Sequence, residues 1–368
     1  MEVKEGLKRM IEKIENYKVK IIENREKQKD VWKNKKTYIP IILNRNDTEF
    51  KNYPNFNMKE SFYDPEKMLY MQIKGVINYV SEFSDCVPSV RFNFGTGFIP
   101  SIFGLDSEIF EDKMPWLKKH LSKEEIKKLK SNDFEKIEKL GLMRETKKYY
   151  KIYKKYLKNG IIKIYLPDTQ GPFDIAHLLR GDDIFFDIYD DFEFFKYLLE
   201  ISTYVYIKAT EKLKKLIGEN MTESYHSGTY YIGKGGIRIC EDSTTLISQK
   251  HLETILTYTQ KCLKSFGGGW IHFCGKAERL FELIVEIPEV SGINFGNPEK
   301  YDFNFVFKKL NEKNKVYLGN VPRKTNETMK DYLKRVYEIS EGKNLILIPT
   351  IKENEKIEEI YDYWNSLQ

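Results

Sequence analysis

Cysteine is scarce in this 368-residue chain: four residues, Cys86, Cys240, Cys262 and Cys274, at irregular intervals. That is too few for a disulfide framework at this length, and no Cys-x-x-Cys pair suggests a closed zinc knuckle, so reduced thiols are expected. No run approaches the ~18 consecutive apolar residues of a membrane span, and the opening MEVKEGLKRM carries charges where a signal peptide needs an apolar core. A cytoplasmic protein with no membrane partner is the expectation. Also lacking are a 20–50 residue repeat, a Gly/Ser- or Pro-rich linker, a Gly-x-Gly-x-x-Gly after the first strand and the Gly-Lys-Ser/Thr of a phosphate loop.

What is present is core-forming material. The hydrophobic fraction is 41% and the aromatic fraction 14%, with 25 Tyr and 23 Phe, which argues against disorder. The formal charge of +6 is a small difference between 61 basic and 55 acidic residues, so it says little about polyanionic partners. One stretch departs from the balance: residues 113–158 hold sixteen Lys or Arg against six Asp or Glu, with Tyr149, Tyr150, Tyr153 and Tyr156 interleaved. A nucleic-acid surface has this composition, but so does a solvated helix that packs its tyrosines inward, and the second reading is preferred.

Short runs of near-continuous apolar character recur at 37–44, 87–95, 161–167, 224–233, 269–275, 290–296, 315–321 and 344–350, with IRICEDS close behind the fourth. Segments of helical period lie between them, such as DPEKMLYMQIKGVINYVSEF with its Asp64-Pro65 start. This alternation predicts a single (β/α)8 TIM barrel over 37–368, with a helical extension at 1–36 and a lysine-rich helical insert at about 105–158 after strand 2. A doubly wound open sheet is the alternative. In a barrel the strand C-termini form one mouth, and polar residues gather there: Asn44, Arg45, Asn93, Asp168, Gln170, His226, Glu241, Asp242, His272, Cys274, Asn294, Asn320 and Thr350.

His272 and Cys274 stand at i and i+2 of one strand, so both project from the same face, within reach of one metal ion. A core histidine beside an inert buried cysteine is the alternative, since two ligands do not make a site. Cys240, Glu241 and Asp242 end another strand, where alternation admits only one of the two carboxylates to the mouth.

The motifs DTQGPFDIAHLLRG, IRICEDSTTLIS, GGGWIHFCGKAERLFELI and VSGINFG, in this order over roughly residues 60–350, resemble the uroporphyrinogen decarboxylase superfamily. That resemblance implies one (β/α)8 barrel and either of two activities: tetrapyrrole decarboxylation, or zinc-dependent methyl transfer with corrinoid proteins. Authentic decarboxylases have an arginine-rich segment where residues 36–60 hold only Arg45, and an essential aspartate where Gly95 stands. The methyltransferase branch uses a His-x-Cys pair, matched by His272 and Cys274, plus a cysteine after the last strand, where Ile351 or a neighbour stands instead. Cys240, Glu241 or His226 could replace it.

The resemblance thus implies a methyltransferase that moves a methyl group between a corrinoid (cobalamin) on a partner protein and a small thiol or methylated substrate. Zinc would be held by His272 and Cys274; Asp242, Asp168 or Glu241 would handle a proton; Asn93, Gln170, His226, Asn294 and Asn320 would bind substrate. A decarboxylase of a carboxylated substrate and a non-catalytic corrinoid- or partner-binding barrel are the alternatives. The tyrosine content permits a homodimer.

Overall fold

The computed structural model describes residues 2–33, 38–45 and 49–368. Two helices come first, α1 (Val3–Glu15) and α2 (Lys18–Trp32). The expected boundary at 36–37 lies outside the described residues. Helix α3 (Pro65–Val76) starts where the sequence signalled: Asp64 accepts from the backbone N–H of Glu66 and Lys67, and Pro65 occupies the first turn.

Strand β1 (Ser89–Arg91) is followed by the lysine-rich region, whose longest helix is α4 (Met143–Tyr156). Tyr149 and Tyr153 of α4 are buried against Phe92, and the lysines face outward, as the inward-packed reading expects. Then come β2 (Lys163–Tyr165), α5 (Pro172–Arg180) and the long α6 (Phe192–Ile217), closed by Gly218 in the left-handed region.

The expected strand at 224–233 is corrected. It is a hairpin: β3 (Ser224–His226) and β4 (Tyr230–Ile232) pair antiparallel, Ser224 opposite Ile232, around a turn with Ser227 and Gly228 at positive φ. The strand of the main sheet is the next run, β5 (Ile237–Cys240). It is succeeded by α7 (Gln249–Ser265), β6 (Gly269–Phe273), α8 (Glu278–Glu286), β7 (Val290–Phe295), α9 (Phe303–Glu312), β8 (Val316–Gly319), α10 (Met329–Ile339), β9 (Leu345–Leu347) and α11 (Ile357–Ser366).

Strands β5 to β9 form one all-parallel sheet in sequential order, extended past β9 by a parallel bridge between Ile41 and Leu347. β1 and β2 form a separate parallel pair. The ladder is interrupted at two places. Between the Ile41 segment and β1 the link is the Asp85 N–H donating to the Ile41 carbonyl (2.9 Å), while the hairpin carbonyls of Gly228 and Thr229 accept from Ser89 and Val87. Between β2 and β5 the link is made by side chains, described below. The architecture is therefore mixed α/β with parallel strands alternating with helices, and a closed eight-stranded ladder is not formed among the described residues. The strands are buried on both faces, which explains their unalternating apolar runs. No helix among the described residues is long and apolar enough to cross a membrane.

Candidate metal centre and its surroundings

Three strands bring one row of side chains into register: Cys240 of β5 lies opposite His272 of β6, and His272 opposite Asn294 of β7. The row is ordered by hydrogen bonds. Asn294 Nδ2 donates to the Leu318 carbonyl (2.5 Å), so its Oδ1 is left to accept from His272 Nδ1 (2.5 Å). That assignment puts the proton on Nδ1 and the lone pair on Nε2, which stands 3.5 Å from Cys274 Sγ and 3.9 Å from Asp242 Oδ1. Burial, with Arg238 adding to it, holds the His272 pKa below its ordinary value, so the imidazole is neutral and its Nε2 is a donor to a cation.

Cys240, Asp242 and His272 each offer one ligand atom, and these atoms all lie within 4.8 Å of one another. Thiolate, imidazole and carboxylate are the donor types zinc takes. Of the expected pair, His272 is in this cluster; Cys274 stands beside it, exposed, with its backbone N–H donating to Asp242 Oδ1 at 2.6 Å. Burial holds the Cys240 thiol well above its ordinary pKa, and burial with Asp242 pushes Cys274 up to about 11, so both are protonated at neutral pH without a nearby cation. The residues fit a metal: a bound Zn²⁺ would supply the positive charge that holds Cys240 as thiolate.

The end of β5 is fixed from behind. Asp174 of α5 accepts from the backbone N–H groups of Asp242 (3.1 Å) and Ser243 (2.7 Å), and burial raises its pKa to about 6. Helix α5 can approach this closely because Gly171 has no side chain; a Cβ there would sit 2.2 Å from the Cys240 carbonyl oxygen. Gly296 serves Cys274 likewise, since a Cβ at 296 would lie 2.3 Å from its sulfur.

Glu241 does not enter the mouth. Strand alternation turns it under α7, where it is fully buried and accepts from the hydroxyls of Thr244 and Thr259, and burial followed by the charge of Asp174 pushes its pKa up to about 8. Of the site residues expected at the end of this strand, Glu241 therefore lies behind it, outside the Cys240–Asp242–His272 cluster.

Asp168, at the end of β2, meets Gln170, which the sequence singled out, and two arginines, Arg91 and Arg238, which it did not. Its Oδ1 accepts from Arg238 Nη1 (3.1 Å) and Gln170 Nε2 (2.6 Å), and its Oδ2 lies 3.8 Å from Arg91 Nη1. Burial alone would raise its pKa, but Arg238 and then Arg91 hold it below its ordinary value, so Asp168 is a charge partner of the arginines. The Arg238–Asp168 pair spans the gap between β2 and β5. A charged residue inside an otherwise buried strand, SVRFNF and GIRICE, was the available signal.

His226 lies beneath this layer, its ring 5.2 Å from Tyr165 and 4.9 Å from Trp270, with a pKa driven well below its ordinary value by burial and then by Arg238. It is outside the Cys240–Asp242–His272 cluster. Asn93 has a buried Oδ1 with no partner among the described residues, and Asn320 contributes its carbonyl to the Tyr317 hydroxyl (2.9 Å). Beside Asp242 a cleft of about 480 Å³ opens between Gln170, His177, Ser243 and, from the lysine-rich region, Trp116 and His120. His177 Nδ1 is 2.8 Å from Ser243 Oγ across its wall.

No family model matches the chain, and no curated protein matches it by sequence. In structure it is similar to a methyltransferase from Methanosarcina mazei, with a TM-score of 0.63 at 14% sequence identity, over 93% of this chain and 96% of that chain. At that identity the likeness is one of fold. It spans nearly the whole of both chains.

Proposed function

We propose that this protein is a methyltransferase that passes a methyl group between a corrinoid carried by a partner protein and a small thiol, at a zinc site made by Cys240, Asp242 and His272 with Cys274 adjacent. The observation that carries the reading is the convergence of three ligand atoms of zinc-binding type at the strand ends, one of them a histidine nitrogen whose lone pair is directed there by Asn294. The fold shared with the M. mazei methyltransferase supports it.

Held by Cys240, Asp242 and His272, a Zn²⁺ ion would lower the pKa of a thiol that reaches it, so that the sulfur would be nucleophilic at neutral pH. The chain's own residues supply the rest. A thiol would lose its proton and form the C–S bond as the methyl–cobalt bond breaks and leaves its electron pair on the corrinoid; Asp242, with one oxygen held by the Cys274 N–H and a side chain 43% exposed beside the cleft, would take that proton. Gln170 and Asn93 orient the acceptor, and Asn294 keeps His272 in one tautomer.

Elemental analysis of the full-length protein supplied with Zn²⁺ should find about one metal ion per chain. His272→Ala and Cys240→Ser should each lose it while keeping the far-UV spectrum, and methyl transfer from methylcobalamin to 2-mercaptoethanol should fall at least 100-fold. A wild type that binds no metal, or variants that keep full occupancy, would refute the site. Carbon dioxide release from a carboxylated substrate with no corrinoid present would favour a decarboxylase instead.

A further inference from the structure

Between β1, β2 and β5 the guanidinium groups of Arg91 and Arg238 meet few acceptors among the described residues. Two guanidinium groups carry ten N–H bonds between them. Arg91 has one polar side-chain contact among the described residues, Asp168 at 3.8 Å; Arg238 has one hydrogen bond, also to Asp168, whose Oδ1 already accepts from Gln170. The Arg238 Nε is buried without a partner, and so is the indole Nε1 of Trp270, a residue 2% exposed whose backbone is in register with Arg238 and whose ring centroid lies 5.9 Å from the guanidinium.

The nearby carboxylates are engaged elsewhere: Asp174 on the backbone of residues 242 and 243, Asp242 Oδ1 on the Cys274 N–H. A buried donor without an acceptor costs free energy that a ligand oxygen would recover. Solvent reaches this layer, since the side chains of Arg91, Arg238 and Asp168 retain 18%, 14% and 15% exposure.

We infer that Arg91 and Arg238, with the Trp270 indole, form a subsite for a carboxylate group, so that the small acceptor of the reaction is an acid. Planar oxyanions match the guanidinium fork. Arg238 precedes Cys240 by two residues on the same face of β5, which sets the subsite about 7 Å below the Cys240–His272 row. An acceptor of a few carbons spans that step, with its carboxylate on the arginines and its reacting atom at the strand ends. The assignment of an acceptor rests on the methyltransferase reading; the anion subsite itself does not.

Calorimetric titration of the zinc-loaded protein with 3-mercaptopropionate and with its neutral counterpart 3-mercapto-1-propanol tests this. The carboxylate should bind at least tenfold more tightly. Arg238→Gln and Arg91→Gln should each erase that preference while zinc content stays at the wild-type level. Propionate, which has no thiol, should still bind His272→Ala, so that loss of the metal site and loss of the anion site are read separately. Equal binding of the two thiols to the wild type overturns the inference, whatever the variants do, and so does a preference that survives in both arginine variants.

Discussion

Asn294 acts on chemistry that it does not perform. Its amide is oriented by the Leu318 carbonyl, and that orientation alone dictates which ring nitrogen of His272 carries the proton. Asn294→Ala removes the acceptor and leaves the imidazole free to rotate and to exchange tautomers, so zinc affinity should fall about 10–100-fold, the usual loss when an outer partner of a metal-bound histidine is deleted. Chelator competition measures it, and an affinity within twofold of wild type would show that the tautomer is set elsewhere. Single residues were unevenly legible. The His272–Cys274 spacing announced a shared face, but Arg91 and Arg238 did not announce a common partner. Their meeting at Asp168 depends on β2 and β5 being spatial neighbours although about 70 residues apart, and nothing local in SVRFNF or GIRICE encodes that.

Strand β5 shows how one element sorts its side chains. Arg238, Cys240 and Asp242 fall on one side and Glu241 on the other, under α7, where two threonine hydroxyls meet its carboxylate. Burial favours the neutral acid there, with the pKa raised from an ordinary 4.5 to about 8. The sign follows from linkage: a carboxyl whose folded pKa lies above its unfolded value stabilises the fold fully below the unfolded pKa, and that contribution is lost as pH rises through about 8. Glu241→Gln, which keeps the size and has no charge, should flatten the decline in unfolding free energy between pH 4.5 and 8, a difference on the order of a few kcal/mol. Urea melts at four pH values check this; parallel curves for the two proteins would contradict it. At the same scale, the sheet strands were readable because their apolar runs are short and punctuated, and the hairpin was not. SYHSGTYYIG contains its turn signal, Ser-Gly, but its arms, SYH and TYYI, are only three and four residues long, too short for alternation to mark two antiparallel strands.

For the molecule as a whole, the two-helix start is built into the closed end of the strands. Asn24 of α2 donates to the carbonyls of Ser84 and Cys86, Gln28 to those of Asp85 and Thr229, and the Trp32 indole to that of Tyr231. Their polarity in a charged helix reads as solvent exposure until these distant carbonyls are known. The joint centres on Asp85, fully buried, which accepts from Lys27 of α2, the Tyr38 hydroxyl, the Ile41 backbone N–H and the Tyr361 hydroxyl of α11, all at 2.9–3.0 Å. One carboxylate thereby ties together the first helices, the first strand segment and the last helix. Asp85→Ala removes one acceptor from an ammonium group, two hydroxyls and a backbone N–H at once, and removing one partner of a buried charged pair costs about 3–5 kcal/mol. Asp85→Asn keeps the volume and one acceptor oxygen, so it should lose less. The expected order of denaturation midpoints is wild type, then Asp85→Asn, then Asp85→Ala, with zinc stoichiometry unchanged in whichever variant remains folded, because the proposed ligands Cys240, Asp242 and His272 stand at the opposite ends of the strands. A loss below about 1 kcal/mol for Asp85→Ala would mean that water replaces the carboxylate and that apolar packing, not this joint, holds the two chain ends together.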